Sequence, residues 1–498
     1  MGLVLAASVA QASDFVDTRL SFAFGDCNLL AAAGETTPNC PKPRFGASQA
    51  NTQFFDNFNT RYSGFETLSH AVLYTHAPAF FEGLTTEAAL AVLLLEAPSG
   101  SIALRDDSSY IRLAWHPPSW GEKENISLTG FPVSADRFRL GYAYRISWGG
   151  SSGFGFKNTE RGVPGVKLQV TRDRWYAFAG AKSALILNEI NHEEDAAYGL
   201  LAGAGVDVTP FLRLEAGGGY FQKGVIPALA AQGINAPVNA IGASAEAVLH
   251  VGEPVGTSVD FRLYRNDPEV FQKLFAPETY PGGLSYTVSL EGSRLAQTLA
   301  DYDAFGRTVP QTADAVAFQA RMKLNKMRAH LLALYRTLSF IQFDVPGFPP
   351  YTDFPSGTTL KPEMFAAGGV DYYLESIHFT PGIVLGVQQP ASLNAPPISG
   401  VPGAGDATEA LEKGGRTIVL RDVNQVSILP EGEKTSLIYS AKVTGRWDIS
   451  EAVAGIGELY YTHDRNRGTF KQDLQGIVVE SFEKADALGL NLIVQAKF

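Results

Sequence analysis

The stretch Leu488–Phe498 reads LGLNLIVQAKF. Leu488, Leu490, Leu492, Val494, Ala496 and Phe498 fall on every second position, with Gly489, Asn491, Ile493, Gln495 and Lys497 between them. A β-strand sends alternate side chains to opposite faces, so one face here is wholly apolar and the other mostly small or polar. Such a strand fits a wall with lipid on one side and a wet interior on the other, and Phe498 is expected to be the aromatic end of its closing strand. A soluble sandwich can also produce the alternation. The reading therefore turns on how widely it recurs and on what fills the polar face.

It recurs along most of the chain. Thr18, Leu20, Phe22 and Phe24 share a face near the beginning. Phe138, Leu140, Tyr142, Tyr144, Ile146 and Trp148 oppose Arg137, Arg139, Gly141, Ala143, Arg145 and Ser147. Leu212, Leu214 and Ala216 oppose Arg213, Glu215 and Gly217; Val259, Phe261 and Leu263 oppose Asp260 and Arg262. Val316, Phe318, Ala320, Met322 and Leu324 oppose Gln319, Arg321 and Lys323, while Tyr439, Ala441, Val443 and Trp447 oppose Ser440, Lys442, Thr444 and Arg446. Gly, Ala and Ser sit between the charges on the polar faces, as a crowded concave interior requires. Trp148, Trp175, Tyr198, Tyr220, Trp447 and Phe498 lie near strand ends, where interfacial girdles form. An open sheet edge would leave backbone groups unpaired in hydrocarbon, so these strands are expected to close on themselves.

The connections alternate in length. Short turns are expected at Arg172-Asp173, Thr209-Pro210, Glu253-Pro254, Asn325-Lys326, Glu375-Ser376 and Ile449-Ser450, and long segments at 26–62, 150–163, 223–238, 266–282, 345–358, 389–414 and 465–475. Short on one side and long on the other is the arrangement of an outer-membrane barrel with its short turns in the periplasm. The expected fold is an all-β, antiparallel, up-and-down transmembrane barrel of about 18 strands, within a range of 16 to 20, with no plug domain. The segments 116–136 and 284–304 are ambiguous, and Thr417–Leu429 reads as a hairpin projecting beyond the membrane. The domain reading is a signal peptide over 1–12, with Ala10-Gln11-Ala12 as its small-residue cleavage pattern but no basic residue ahead of the apolar run, then a single barrel over 13–498 with long extracellular loops at 26–62 and 389–433.

Composition narrows the class. The 498 residues carry a net charge of −11, against the clustered Lys and Arg that nucleic acid demands. No run reaches the roughly 18 to 20 apolar residues of a membrane helix. Mean hydropathy is −0.01, as an average of a lipid face and a wet lumen should be. The only cysteines, Cys27 and Cys40, fall in the first long loop and are expected to form a disulfide, worth roughly 3 kcal/mol for a loop of about 14 residues.

At this point the chain resembles the Gram-negative outer-membrane β-barrel superfamily, porin-like members included. The residues that carry the resemblance are the terminal strand and Phe498, although Ala496 stands where that superfamily often has Tyr. The resemblance implies localisation in the outer membrane, contact with its lipid and lipopolysaccharide, and recognition of Phe498 by the barrel-assembly machinery. The segment Asp14–Asp26, DFVDTRLSFAFGD, looks like uncharacterised barrels of myxobacteria, which implies no activity.

No G-x-S-x-G, H-E-x-x-H, P-loop or C-x-x-C motif is present, and neither metal nor cofactor is expected. An enzyme is not the expected function. It would need a His within hydrogen-bond reach of a Ser or carboxylate at the outer rim. The candidate pore lining is Arg137, Arg139, Arg145, Arg213, Glu215, Arg262, Arg321, Lys323 and Arg446. Two readings of these residues stand side by side: arginines biasing a pore toward anions, or a salt-bridge ladder fixing neighbouring strands. The leading functional expectation is a channel for passive diffusion of small polar or anionic solutes. The alternative is a non-transporting surface component that anchors or exports for an envelope machine, for polysaccharide export or motility, with envelope proteins as partners.

Overall fold

The computed structural model describes residues 15–26, 28–33, 69–96, 102–106, 109–121, 123–133, 139–141, 148–149, 164–187, 193–252, 282–342, 351–394, 416–422, 425–472 and 478–497. In chain order the strands begin with β1 (Phe15–Asp26), β2 (Ser69–Pro78), β3 (Leu84–Glu96), β4 (Ile102–Asp106), β5 (Tyr110–Trp115), β6 (Asn125–Phe131), β7 (Arg139–Leu140), β8 (Trp148–Gly149) and β9 (Gly165–Thr171). They continue with β10 (Trp175–Leu187), β11 (Glu194–Thr209), β12 (Leu212–Val225), β13 (Pro237–Val251), β14 (Leu284–Ala300), β15 (Thr308–Leu324), β16 (Met327–Arg336), β17 (Thr359–Lys361) and β18 (Glu363–Tyr372). The last are β19 (Phe379–Gln389), β20 (Ser392–Asn394), β21 (Thr417–Asp422), β22 (Gln425–Ile428), β23 (Ile438–Asp448), β24 (Val453–His463), β25 (Gly468–Gln472), β26 (Val478–Phe482) and β27 (Asp486–Lys497). Two short helices, α1 (Pro227–Ala230) and α2 (Leu338–Gln342), lie in connections. No described helix is long and apolar enough to cross a membrane.

Nineteen strands form one antiparallel sheet. Successive strands pair with each other, as short hairpin turns dictate: β9 with β10, β10 with β11, and so on through β16. Where a small strand intervenes in sequence, the sheet skips it, so that β16 pairs β18, β19 pairs β23 and β24 pairs β27. β3 pairs with β5 near its start and with β4 near its end. β1 pairs on one edge with β2 and on the other with β27, Phe22 opposite Val494. The turn between β15 and β16 is Asn325-Lys326. A two-residue hairpin turn needs a left-handed residue, and Asn325 supplies it at φ 52°.

Within each strand the exposed and buried positions alternate, and their chemistry is inverted relative to a water-soluble sheet. On β23, Tyr439, Val443 and Trp447 are exposed while Ser440, Lys442, Thr444 and Arg446 are buried. The same holds on β27, where Leu492 and Val494 are exposed and Asn491 and Gln495 are not.

A second, four-stranded sheet runs β17-β20-β21-β22, and β25 pairs β26 beside it, tied through the Gly468 N–H donating to Ser427 Oγ at 2.9 Å. The expected hairpin over Thr417–Leu429 is the β21–β22 pair. Part of the expected loop 389–433 is thus folded strand, over a small core of Leu338, Ile341, Leu393 and Leu420.

Of two expected wall strands, one is described only in part and the other lies outside the described residues. The 138–148 stretch was read as one strand, but β6 pairs directly with β9, and only β7 and β8, a two-residue ladder of their own, represent it among the described residues. The 259–263 stretch lies outside the described residues, and β13 pairs directly with β14 across twelve positions. The two ambiguous segments supply strands instead, β6 and the 17-residue β14. The segment expected as a long loop at 266–282 lies outside the described residues, but its anchors stand at the short-turn end. There the His250 N–H donates to the Phe211 carbonyl and the Asn325 N–H to that of Gly283.

Candidate functional site

Among the described residues, many charged side chains lie on the buried face of the main sheet. Several of the charges are neutralised in place by a neighbouring strand. Arg213 on β12 grips Asp207 on β11 through two bonds, Nε to Oδ1 at 2.6 Å and Nη2 to Oδ2 at 2.7 Å. Arg112 reaches Glu87 at 3.3 Å. On β16, Arg328 and Arg336 donate to Asp371 and Glu363 of β18 at 2.9 and 2.6 Å. Lys442 Nζ lies 2.5 Å from Glu458 Oε1, with side chains only 3% and 4% exposed, and Glu458 Oε2 also accepts from Asn491 at 2.9 Å. Arg446 donates to Asp448 at 2.6 Å and to Gln495 at 3.0 Å. Each bridge ties two positions of the wall together, and each carboxylate removes one positive charge from the interior field.

A different arrangement occupies β12 to β14. Register sets Glu215 opposite Glu246 and Glu246 opposite Glu291, three acidic side chains abreast on three strands. Tyr176 donates its hydroxyl to Glu215 Oε1 at 2.7 Å, and the Ser293 hydroxyl lies 3.5 Å from Glu291. Like charges directly opposite each other are destabilising in a sheet.

The residues expected from sequence divide accordingly. Arg213 and Arg446 are in ion pairs, and Glu215 is in the acidic row. Arg321 occupies the inward register of β15 opposite His330 and Thr287, with its side chain exposed; Lys323, two positions on, is half-buried. Arg137, Arg145, Arg262, Cys27, Cys40 and Phe498 lie outside the described residues, and Arg139 is described only as backbone in β7. β7 lies against β12. Sequence reading missed Glu291, Arg328, Arg336, Glu363, Asp371 and Glu458. Each sits at an alternate position of its strand, and that periodicity was the available signal.

Apolar side chains also face inward. Tyr110, Phe131, Phe178, Phe221, Leu295 and Phe365 belong to one cluster with Phe340 of α2. At the long-loop end the chain around Tyr351 crosses back from β16. The Ala300 N–H donates to the Tyr351 carbonyl at 2.7 Å, the Tyr351 hydroxyl donates to the Lys223 carbonyl, and Gln311 donates to Asp353 at 2.8 Å.

At the opposite end, one carboxylate joins two turns. Glu124 accepts the Gly121 and Asp173 backbone N–H groups and Arg172 Nε, each at 2.9 Å, and the Arg172 guanidinium lies 4.1 Å from the centre of the Trp120 ring. The Gly121 N–H first, then that of Asp173 and the Arg172 guanidinium, hold its carboxyl below the usual carboxylate range.

One histidine–carboxylate pair sits at the rim: His463 Nδ1 is 2.8 Å from Asp486 Oδ1, which also accepts from Tyr461 at 2.5 Å. No serine joins them among the described residues. The described residues hold no group of three or more metal-ligating side chains.

No protein-family model and no curated protein matches the chain. Among solved structures it is similar to OpdL of Pseudomonas aeruginosa, at 11% identity over 98% of this chain and 99% of that one, with a TM-score of 0.43. It is similar to the outer membrane protein OprD of the same organism, at 9% identity over 98% and 95%, TM-score 0.43. It is also similar to the anion-selective porin from Comamonas acidovorans, at 9% identity over 98% and 100%, TM-score 0.38. At these identities and scores, the reading of this chain stands on its own strands.

Proposed function

We propose that the chain is an outer-membrane barrel acting as a porin-like channel for small polar solutes. The observation that carries this reading is the inverted wall: large apolar residues are exposed strand after strand, and charges are buried on the alternate face. Phe22, Leu90, Leu200, Ile241, Leu385, Val443 and Leu492 are all exposed. Apolar surface of that extent in water marks an association surface, and a bilayer is the partner that covers every strand alike. Exposed Trp115, Trp175 and Trp447 lie toward the short-turn end and Tyr198, Tyr439 and Tyr461 toward the other, as two girdles would.

The pairing of β1 with both β2 and β27 supports closure. β4 and β5 share one position beside β3, so the nineteen strands make eighteen wall positions. An antiparallel barrel of that size is wide enough for an aqueous lumen. The domain reading accompanies it: a signal peptide over 1–12 and one barrel after it, seated in lipid and lipopolysaccharide and delivered by the barrel-assembly machinery.

Anion preference is the finer part of the reading. Arg213 and Arg446 are paired with carboxylates, and Arg321, exposed on β15, is the base on which the anion preference is proposed to rest. The alternative, a non-transporting surface component with envelope partners, draws support from the burial of Lys442, Glu458 and Asn491 and from the folded loops around Tyr351 and β17–β22. No reaction is proposed.

Planar-bilayer recording separates the two. A channel gives stable conductance steps, and Arg321→Gln with Lys323→Gln shifts its reversal potential toward cations. A barrel that inserts but never conducts belongs to the second reading.

A further inference from the structure

Outward chemistry on β14 and β15 changes at one level. Register sets Leu284 opposite Leu324 and Gly292 opposite Val316, and the three outward pairs between them are all apolar or aromatic. The two runs, 284–292 and 316–324, are nine residues each, and a tilted strand needs about 9 to 11 to cross the hydrocarbon. The next outward pair is Arg294 opposite Asp314, with Thr298 and Thr312 on the same face beyond it. Arg294 Nε stands 3.8 Å from Asp314 Oδ1, and the side chains are 71% and 44% exposed. At that separation the guanidinium donors and the carboxylate oxygens stay available to a third group. On the proposed barrel the pair sits at the long-loop end, where acyl chains give way to headgroups.

Directly below the pair, the same face opens into a groove of about 760 Å³, walled by Trp175, Leu214 and Leu290 and floored by Ala216, Ala245 and Gly292. Register joins the two features: Ala243 lies opposite Arg294, and Ala245 opposite Gly292. A methyl carbon built at Gly292 would meet nothing within 4 Å, so no neighbour within the chain excludes a larger residue. Glycine weakens a strand interior and often marks the close approach of something else. Here it keeps the groove open on a face that the proposed barrel turns to lipid.

We infer that this face seats one zwitterionic phospholipid with a phosphoethanolamine head, its phosphate on Arg294, its ammonium on Asp314 and an acyl chain in the groove below. The inference rests on the proposed seat in a bilayer and is independent of whether the barrel conducts. Charge complementarity selects the head. A guanidinium donates to phosphate oxygens and a carboxylate accepts from an ammonium, so adjacent opposite charges match adjacent opposite charges. A purely anionic head would leave Asp314 facing its negative charge. Shape argues against a second copy of the chain: a two-fold contact would set this depression against itself and enclose a void.

The test is native mass spectrometry of the full chain released from micelles, titrated with dipalmitoyl phosphatidylethanolamine, dipalmitoyl phosphatidylglycerol, dipalmitoylglycerol and glycerophosphoethanolamine. The expected result is a single phosphatidylethanolamine adduct, bound about tenfold or more tighter than either other lipid, as one charge-assisted hydrogen bond would supply. Asp314→Asn removes the preference over phosphatidylglycerol, and Arg294→Gln the preference over dipalmitoylglycerol; exposed positions such as these carry little folding risk. Gly292→Leu weakens all three lipids alike. Equal binding of phosphatidylethanolamine and phosphatidylglycerol by the wild type overturns the proposal, as does an Asp314→Asn variant that keeps the preference. Displacement by glycerophosphoethanolamine as effective as by the intact lipid would make the ligand a free solute, and a dimer that Gly292→Leu abolishes would make it a second copy; either overturns it. A chain that fails to enter vesicles at all defeats the barrel reading first; one that enters but lacks the preference defeats the lipid site alone.

Discussion

Glu124 joins the β5–β6 turn to the β9–β10 turn through one carboxylate with three donors. Its folded-state pKa is depressed, so its contribution to stability is present above the unfolded value of about 4.3 and is lost as pH falls through the lower folded value. Glu124→Gln is therefore expected to lower the apparent melting temperature in micelles at neutral pH, and the gap to wild type should close near pH 3 or below. A gap that persists unchanged there would mean that the carboxylate charge is not what holds the turns. Lys442 and Glu458 pose the opposite case, a pair deep in the wall. Lys442→Met leaves Glu458 buried without its cation, and the expected cost is about 3 kcal/mol or more in urea unfolding from vesicles. Replacing both partners with apolar residues should recover most of it. Neither contact was legible beforehand. A carboxylate in the stretch 116–136, which alternates poorly, gives no sign of three donors, and Lys442 reads as inward without naming its partner.

At the scale of the strand, periodicity was a good guide to faces and a poor one to neighbours. The stretch Leu437–Trp447 corresponds to β23, with the predicted faces out and in. The stretch 138–148 alternates just as cleanly, yet β6 pairs directly with β9, and the described residues of that stretch form only the two-residue β7–β8 ladder. Alternation is local, whereas membership of a sheet depends on which partner offers the longer ladder, and β6 and β9 offer seven paired positions to each other. The acidic row had the same limit. Glu215 was legible as inward, but Glu291 lay in a stretch left ambiguous, and only register brings these two abreast with Glu246 between them. Faces themselves are testable. Val443→Arg puts a charge on the lipid side of β23 and should destabilise the inserted protein by about 2 to 4 kcal/mol if it lies near the midplane, whereas Val443→Leu should be close to neutral. Equal effects from the two variants would remove lipid from that face.

For the whole molecule, a large antiparallel sheet was legible although not all its members were. The two stretches that alternate poorly supply β6 and the 17-residue β14, so main-sheet strands arise where the pattern was weakest. Closure rests on the seam between β1 and β27, where Phe22 and Val494 face each other. Phe22→Cys with Val494→Cys should cross-link under mild oxidation in the inserted protein and alter its gel mobility, and a chain whose first and last strands are apart would not respond. The central claim is that the exposed apolar faces meet lipid. Its most direct test is fluorescence quenching of single-cysteine labels along β23 in vesicles. Labels at Tyr439, Val443 and Trp447 should be quenched by a nitroxide dissolved in the acyl chains and spared by aqueous iodide, while labels at Ser440, Lys442 and Thr444 should escape the nitroxide. Iodide reaching the first set as freely as free dye, with no two-residue period in either quencher, would contradict the account.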